Sequence, residues 1–170
     1  EGEQCTGVVL ADGTKLCSTT VVMATGHSAR DSWSMMLDVG AAAEARPIRI
    51  GARIEHPQRL IDEGRYGQPR GDLPPASYRL RSNPTDGRRP AHTFCMCPGG
   101  TVVGATSEQN RVVVNGMSYS GRRAWYANSA IIVELTLEDI ESYTQEYPEN
   151  QHPALRGVAF QDAIEVKAYE

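Results

Sequence analysis

Two cysteines and a proline-glycine turn form the densest group of chemically capable residues in the sequence. Cys95 and Cys97 are separated by one residue and are followed directly by Pro98, Gly99 and Gly100. Two thiols at this spacing could act as a redox pair. A complete zinc site needs about four ligands, and no second cysteine pair has suitable spacing, so we predict no metal site. The alternative is two small buried thiols before a turn. Strand alternation predicts that both cysteines point to the same face.

A glycine turn after an apolar run is the second candidate. Residues 20–24, which end at Ala24, are nearly all apolar and rich in β-branched side chains, which predicts a strand covered on both faces. Thr25, Gly26 and His27 follow, and residues 28–31 resemble a capping box that starts a helix. Glycine lets a ligand approach the backbone, and a helix N-terminus attracts anionic groups. The alternative is a tight turn that needs glycine only for its dihedral angles. No Gly-x-Gly-x-x-Gly motif is present, so a self-contained dinucleotide-binding fold is not indicated.

A third group of candidate residues is polar and scattered: Arg53, Glu55, His56, Asn115, Tyr119 and Asn128. Arg53 and Glu55 fall on the polar face of a predicted strand, where solvated ion pairing is the simple explanation. Histidine titrates in a range that suits proton transfer, yet His56 precedes a proline, which is typical of a loop. Asn115 precedes a glycine, and that pair is typical of a turn. Sequence spacing indicates no catalytic triad, because triad residues meet in space.

Hydrophobic periodicity predicts the elements that position these residues. Residues 7–16 with a central Asp-Gly turn predict an opening hairpin, and an apolar stripe before Gly40 predicts a helix. Alternation over 48–54 predicts a half-buried strand, and Pro57 predicts the first turn of a short helix. Further strands are predicted at 78–80, 91–96, 101–105, 112–114 and 129–135. An irregular loop is predicted from 64 to 75, and helices are predicted after a capping box at 136–139 and from 154 to 170.

Composition excludes several classes of protein. The chain has 170 residues, of which 40% are hydrophobic and 22% charged, as in an ordinary globular domain. A net charge of -4 provides no basic surface for nucleic acid. The longest apolar run is far shorter than the roughly 18 residues of a membrane span, so we predict no membrane partner. Four cysteines at this length are not a disulfide framework, and a cytoplasmic location is the resulting expectation.

The sequence as a whole resembles a bacterial family of uncharacterised FAD-dependent dehydrogenases. The blocks that carry the resemblance lie at 24–31, 51–58, 94–100, 113–118, 128–130 and 157–161. They follow the expected order over nearly the whole chain, and the Cys-Met-Cys-Pro-Gly-Gly string is the most specific among them. The resemblance implies an α/β (α+β) fold, part of an FAD-binding flavoprotein into which a β-rich substrate-side domain is inserted.

The resemblance also implies a division of the chain. Residues 1–46 would belong to the FAD-binding core, 47–147 to the inserted domain, and 148–170 to the return toward the core. A glycine-rich pyrophosphate loop would precede the chain and a flavin-covering segment would follow it, so we expect weak or absent FAD binding by this segment alone. The unpaired edge of the 20–24 strand would invite self-association.

The implied function is transfer of hydride or electrons between FAD and a small organic substrate, with NADH or NADPH as alternative electron donors. Ala24, Thr25, Gly26 and His27 would then contact the cofactor, as would the turn at residues 98–100. The two cysteines of that region would be the catalytic candidates. The other interpretation is a non-catalytic β-rich binding or assembly module, in which the cysteines are core residues and the arginine-rich stretch 59–89 contacts a partner protein. Neither the substrate nor the oligomeric state follows from the sequence.

Overall fold

The computed structural model describes residues 4–144 and 152–170. Contacts divide the chain into two compact units, Glu1–Val39 and Gly40–Glu170. The described strands all pair in antiparallel fashion, and the described chain also contains helices, which confirms the predicted α+β class. None of the helices within the described residues is both long enough and apolar enough to cross a membrane.

The first unit contains a hairpin and one helix. Strand β1 (Gly7–Val9) pairs with β2 (Lys15–Cys17), and helix α1 is Arg30–Asp38. The backbone N–H of Thr14 donates to Oδ1 of Asp12 at 2.9 Å, which holds the turn. The predicted hairpin is therefore confirmed.

Two predictions for this unit are wrong. Residues 20–24 form no strand, and the side chain of Val22 is 82% exposed. A strand needs a neighbour for its N–H and C=O groups, and the one ladder within the described part of this unit uses β1 and β2. The predicted capping box is also missing, because the N-cap of α1 is Ala29 and has no side-chain hydrogen bond. Gly40 has a φ of 85°, in agreement with its predicted place after the helix.

The second unit is built from two antiparallel sheets. Its strands are β3 (Ile48–Pro57), β4 (Ala91–Cys97), β5 (Gly100–Gly104), β6 (Val114–Ser118) and β7 (Tyr126–Leu135). Strand β7 is central in the order β3–β7–β4, and β5 pairs with β6 in a separate ribbon. The β3–β7 register runs unbroken from Ile48 opposite Leu135 to Pro57 opposite Tyr126. The alternation predicted over 48–54 therefore does form a strand, which is longer than predicted.

Several boundaries differ from the predictions. The strand predicted at 112–114 begins at Val114 and continues through Asn115, so the predicted turn at Asn115 is wrong. Residues 78–80 form no strand, and only an isolated bridge joins Arg81 to His92. Long-range pairing decides the first case, since β6 pairs with β5 along its whole length.

Helices flank the sheets. Helix α2 (Gln58–Tyr66) follows β3 directly, and α3 is Leu137–Tyr143, while a 3₁₀ turn (Pro153–Leu155) precedes α4 (Arg156–Tyr169). The capping box of α3 is confirmed, because Thr136 and Asp139 exchange both hydrogen bonds. Helix α2 extends into the predicted loop and ends at Tyr66, and Gly67, whose φ is 70°, is its C-cap. Pro57 is its N-cap rather than its first residue.

The buried residues of the second unit are unusually polar. The buried apolar side chains include Ile140 and Phe160, and the rings of Phe160 and Tyr143 meet edge to face at 5.0 Å. Four polar or charged residues are equally buried: Gln58, Asp62, Asn128 and Ser129. A buried polar group is costly unless it is hydrogen-bonded. These four residues therefore mark the places where the fold depends on specific polar contacts.

Candidate functional site

Arg53 is the centre of a polar cluster on one face of the three-stranded sheet. Its guanidinium donates to Oδ1 of Asn128 at 2.5 Å and to Oδ1 of Asn115 at 3.3 Å. Both terminal nitrogens also donate to the carbonyl of Cys95 at 3.3 Å. The fork of donors on arginine suits several acceptors in one plane. The expectation of solvated ion pairing for Arg53 is therefore wrong, because its partners are neutral oxygens and its side chain is half-buried.

Asn128 and Gly116 explain why this cluster is closely packed. Asn128 is fully buried, and Gly116 of β6 lies directly over its contact with Arg53. A β-carbon at Gly116 would lie 2.2 Å from both Nη1 of Arg53 and Oδ1 of Asn128. Glycine is required here for close approach between the ribbon and the sheet. The amide nitrogen of Asn128 has no hydrogen-bond acceptor among the described residues.

The two cysteines lie beside this cluster at an irregular point of β4. The register with β7 shifts between Phe94 and Cys97, and Cys95 has a φ of 45°. Such a bulge breaks the alternation of side chains, so the basis for predicting that Cys95 and Cys97 share a face is lost. Cys95 is exposed and Cys97 half-buried. The thiol of Cys97 lies 4.0 Å from Nη1 of Arg53 and 3.3 Å from the carbonyl of Cys95.

The turn at Pro98, Gly99 and Gly100 is buried and packed against the chain itself. A β-carbon at Gly99 would lie 2.0 Å from the carbonyl oxygen of Arg122, and one at Gly100 would lie 2.2 Å from that of Met117. The described backbone therefore fills the space beside both glycines. Internal packing is enough to explain these two glycines. Their predicted contact with a cofactor stays a prediction.

Gln58 holds the turn at residues 98–100 through a hydrogen bond. The sequence analysis did not identify Gln58 as a functional candidate. Its Oε1 accepts the N–H of Gly99 at 2.7 Å, and its Nε2 donates to Oδ1 of Asp62 at 2.8 Å and to the carbonyl of Ala76 at 3.0 Å. Asp62 also accepts the N–H of Ala76 at 2.8 Å and pairs with Nε of Arg70 at 3.1 Å. The only signal in the sequence is a polar pair four residues apart on a helix. Because that spacing is common on exposed helix surfaces, it did not indicate that Gln58 and Asp62 form a buried hydrogen-bonded pair, and only their burial in the structure shows it.

His56 and Tyr78 form a second pair, on the other face of the sheet. Successive residues of β3 point to opposite faces, so His56 is separated from Arg53. Nε2 of His56 and the hydroxyl of Tyr78 are 2.7 Å apart, and the rings lie 5.5 Å apart. Burial raises the pKa of Tyr78, while a hydrogen bond with Ser129 opposes the shift. The phenol therefore stays protonated at neutral pH and can share a proton with the imidazole. The interpretation of His56 as a simple loop residue is wrong, because it lies in β3.

The His56–Tyr78 pair lines a groove, which we call groove A. Groove A has a volume of about 660 Å³, and its walls include Ile54, Leu60 and Leu80 besides the pair. Sites for small organic ligands have volumes of roughly 300–1,000 Å³ and are mostly apolar with a few polar groups. The size and lining of groove A are therefore suited to a small molecule.

The predicted cofactor turn of the first unit is open to solvent. Ala24, Thr25, Gly26 and His27 are all exposed. Gly26 has a φ of 86°, and no atom lies within 4 Å of the position that its β-carbon would take. The backbone here is accessible to a flat ligand, and α1 begins a few residues later. These residues fit a contact with FAD, although the dihedral angle of Gly26 alone also accounts for the glycine.

Metal-binding side chains do not cluster in the part of the chain that the structure describes. The described residues include no group of three or more histidine, cysteine, aspartate or glutamate side chains that could hold a metal ion.

Tyr119, another polar candidate, is 71% exposed. Glu55 accepts the N–H of Val102 at 3.3 Å and so helps to hold β5 against the sheet. The structure thus brings Arg53, Asn115, Asn128 and Cys97 together and leaves Tyr119 outside.

Comparison with known proteins yields a family match and a bacterial relative. A family model described as FAD-dependent protein, C-terminal domain-like, matches residues 47–170. An uncharacterized protein of Clostridium beijerinckii is 38% identical over 164 residues, which cover 95% of this chain and 29% of the relative. The chain therefore spans less than a third of that relative's length. The matched residues include the Arg53 cluster, the His56–Tyr78 pair and both candidate cysteines, whereas residues 24–27 lie outside the match.

Proposed function

The chain belongs to the family described as FAD-dependent protein, C-terminal domain-like, and from this premise we propose that it is part of an FAD-dependent oxidoreductase. The whole protein would transfer hydride or electrons between FAD and a small organic substrate. The single observation that carries the proposal is the family match over residues 47–170. The family description names FAD and no nicotinamide cofactor, so the proposal is limited to FAD.

Within this proposal, the larger part of the second unit lies on the substrate side. Residues 47–147 would form the inserted domain, and groove A would hold the substrate. FAD, when bound, would supply the acceptor for the electrons, because such chemistry belongs to the cofactor. The exposed turn at Gly26 supports the assignment of residues 24–27 to cofactor contact, since nothing in the described chain obstructs its backbone.

His56 and Tyr78 would accept the proton that the substrate hydroxyl loses in the reaction. When a C–H bond next to a hydroxyl is oxidised, the hydroxyl proton must leave. Tyr78 can pass a proton to Nε2 of His56 over their 2.7 Å contact while it accepts the substrate proton on its own oxygen. The Arg53 cluster would hold the bulged region of β4 in place, because its guanidinium binds the carbonyl of Cys95.

The first test is the visible spectrum of the protein purified with its natural flanking segments. An oxidised-flavin spectrum that bleaches with a reductant, with FAD released on denaturation, is the expected result. A well-folded, colourless protein that does not respond to added FAD would contradict the proposal and favour a binding module. The segment alone is expected to bind FAD weakly or not at all. Stoichiometric flavin on the purified segment would contradict this expectation.

The roles of Cys95 and Cys97 are tested in the same holoprotein. Replacing both with serine should change the rate of flavin reduction if the thiols lie at the flavin. The matched control is Cys5→Ser with Cys17→Ser, since those two cysteines are exposed and belong to the first unit. Identical reduction kinetics in both double variants would remove Cys95 and Cys97 from the mechanism.

A further inference from the structure

A glycine interrupts the wall that helix α2 contributes to groove A. Leu60, Ile61, Gly64 and Arg65 line the groove from this helix. Leu60 and Gly64 are four residues apart, as are Ile61 and Arg65, so the four residues share one side of the helix. Gly64 is exposed and carries no side chain. The backbone of α2 is therefore open to the groove at this point.

The fold itself does not explain Gly64. It lies inside α2 (Gln58–Tyr66), where glycine lowers helix stability relative to alanine. Glycine is usually required for a positive φ or for a close contact. Gly64 is not among the positive-φ glycines, unlike Gly67, and no described atom lies within 4 Å of the position that its β-carbon would take. The glycine thus leaves space that the described chain does not use.

The rest of groove A is suited to a flat apolar body. Ile54, Leu60 and Leu80 line the groove and are 41%, 62% and 62% exposed, so a ligand that covers them gains burial energy. The rings of His56 and Tyr78 lie 5.5 Å apart and are tilted by 40°. They can offer an aromatic ligand the offset or edge-to-face contacts that aromatic rings prefer. A flat ring can also approach the bare helix backbone closely, which a bulkier group cannot do.

The hydroxyl of Tyr78 defines what the polar end of the ligand must supply. This hydroxyl lies 2.7 Å from Nε2 of His56, so it can donate to the imidazole and accept a hydrogen bond on its own oxygen. A ligand hydroxyl provides that donor. An ether of the same shape does not, and it would leave the phenol oxygen without its hydrogen bond.

We propose that groove A binds an aromatic alcohol, whose flat ring lies against α2 at Gly64 and whose hydroxyl donates to Tyr78. This inference rests on the proposed oxidoreductase function and deepens it, because it names the chemical class of the substrate. Oxidation of such an alcohol forms one carbonyl: the hydroxyl proton passes to the Tyr78–His56 pair, and the adjoining C–H bond gives its hydride to FAD, which gains two electrons. Gly64 would determine specificity and would take no part in the chemistry.

The test is a ligand-observed NMR titration of the protein with its natural flanking segments. The first two probes are 3-phenyl-1-propanol and 3-cyclohexyl-1-propanol, which share the chain and the hydroxyl and differ in the thickness of the ring. Non-specific burial would favour the cyclohexyl ring, because it has more apolar surface. The space at Gly64 should instead favour the flat ring by at least about threefold. A third probe, the methyl ether of 3-phenyl-1-propanol, lacks the hydroxyl donor and should bind less tightly than the alcohol.

Gly64→Ala is the decisive variant, because it fills the space with one methyl group. It should weaken binding of 3-phenyl-1-propanol by about tenfold, while the urea midpoint rises, since alanine is the better helix former. The matched control is Gly157→Ala. Gly157 lies in α4 and likewise has no atom within 4 Å of its β-carbon position, so this variant should leave all probe affinities unchanged. Tyr78→Phe should remove the preference for the alcohol over its methyl ether.

The results separate the site from the proposed function. Equal or reversed affinities for the two rings, no binding of any probe, or a Gly64→Ala variant that binds like Gly157→Ala would overturn the inference. A lowered urea midpoint for Gly64→Ala would also overturn it, because the fold would then need the glycine. A yellow protein without preference for the flat ring keeps the flavin proposal and removes the site. A colourless protein that prefers the flat ring keeps the site and removes the flavin proposal.

Discussion

Replacement of Gly116 by alanine is the sharpest test of the Arg53 cluster. The new β-carbon would lie 2.2 Å from Nη1 of Arg53 and from Oδ1 of Asn128, which no real contact permits. Asn128 is fully buried and cannot move aside easily. The guanidinium must therefore leave, which breaks its 2.5 Å hydrogen bond to Asn128 and leaves a buried amide oxygen unpaired.

The size of the effect follows from these contacts. Loss of a hydrogen bond to a charged donor costs roughly 1.5–3 kcal/mol, and strain from an inserted methyl adds about 1–3 kcal/mol. Lower backbone entropy of the unfolded chain offsets about 0.5–1 kcal/mol. We therefore expect the free energy of unfolding to fall by about 1.5–5.5 kcal/mol. With a urea dependence of about 2 kcal/mol per molar, the midpoint falls by about 0.8–2.7 M.

The assay is urea unfolding followed by circular dichroism, with Gly104→Ala as the matched control. Gly104 lies in β5 of the same ribbon, and no atom lies within 4 Å of the position that a β-carbon would take there. The control should change the free energy of unfolding by about 0.5 kcal/mol or less. A midpoint for Gly116→Ala equal to that of Gly104→Ala would refute the close approach of the ribbon to Arg53. Combining Gly116→Ala with Asn128→Ala should cost less than the sum of the single changes, because both act on one contact.

Three further predictions concern stability. Arg53→Lys should lower the free energy of unfolding by roughly 1–2 kcal/mol in urea titrations, because a single ammonium cannot reach all of the acceptors that the guanidinium binds; an unchanged midpoint would contradict the cluster. Asp62→Asn should cost about 2–3 kcal/mol in the same assay, because a new N–H₂ faces donors that include Arg70, and a neutral result would contradict the buried network. The hydrogen bond from Arg89 lowers the pKa of Asp139 below its ordinary value of 3.8, so the stability that this pair contributes is present above about pH 4 and is lost as pH falls through the lowered pKa. Asp139→Asn should remove that part of the acid dependence, and identical acid titrations of variant and wild type would contradict the pair.

Local patterns determined much of the fold. Alternation over 48–54 predicted β3, and the Thr136–Asp139 capping box predicted the start of α3, as the structure confirms. Both signals depend on neighbouring residues only, so no distant contact was needed to recognise them. The hairpin before Cys17 followed from its Asp-Gly turn for the same reason. The family resemblance and its FAD-dependent character likewise came from strings of adjacent residues.

Distant contacts decided the rest. The apolar run at 20–24 predicted a strand and forms none, since strand formation depends on a pairing partner and not on the run itself. Asn115 belongs to a strand rather than a turn because β5 pairs with β6. The sequence marked Arg53 and Asn128 as polar candidates, but only the β3–β7 register and the close approach of Gly116 brought them together. The contact between the β5–β6 ribbon and the three-stranded sheet buries these side chains. That contact exists only in the folded chain and cannot be predicted from the order of residues along one strand.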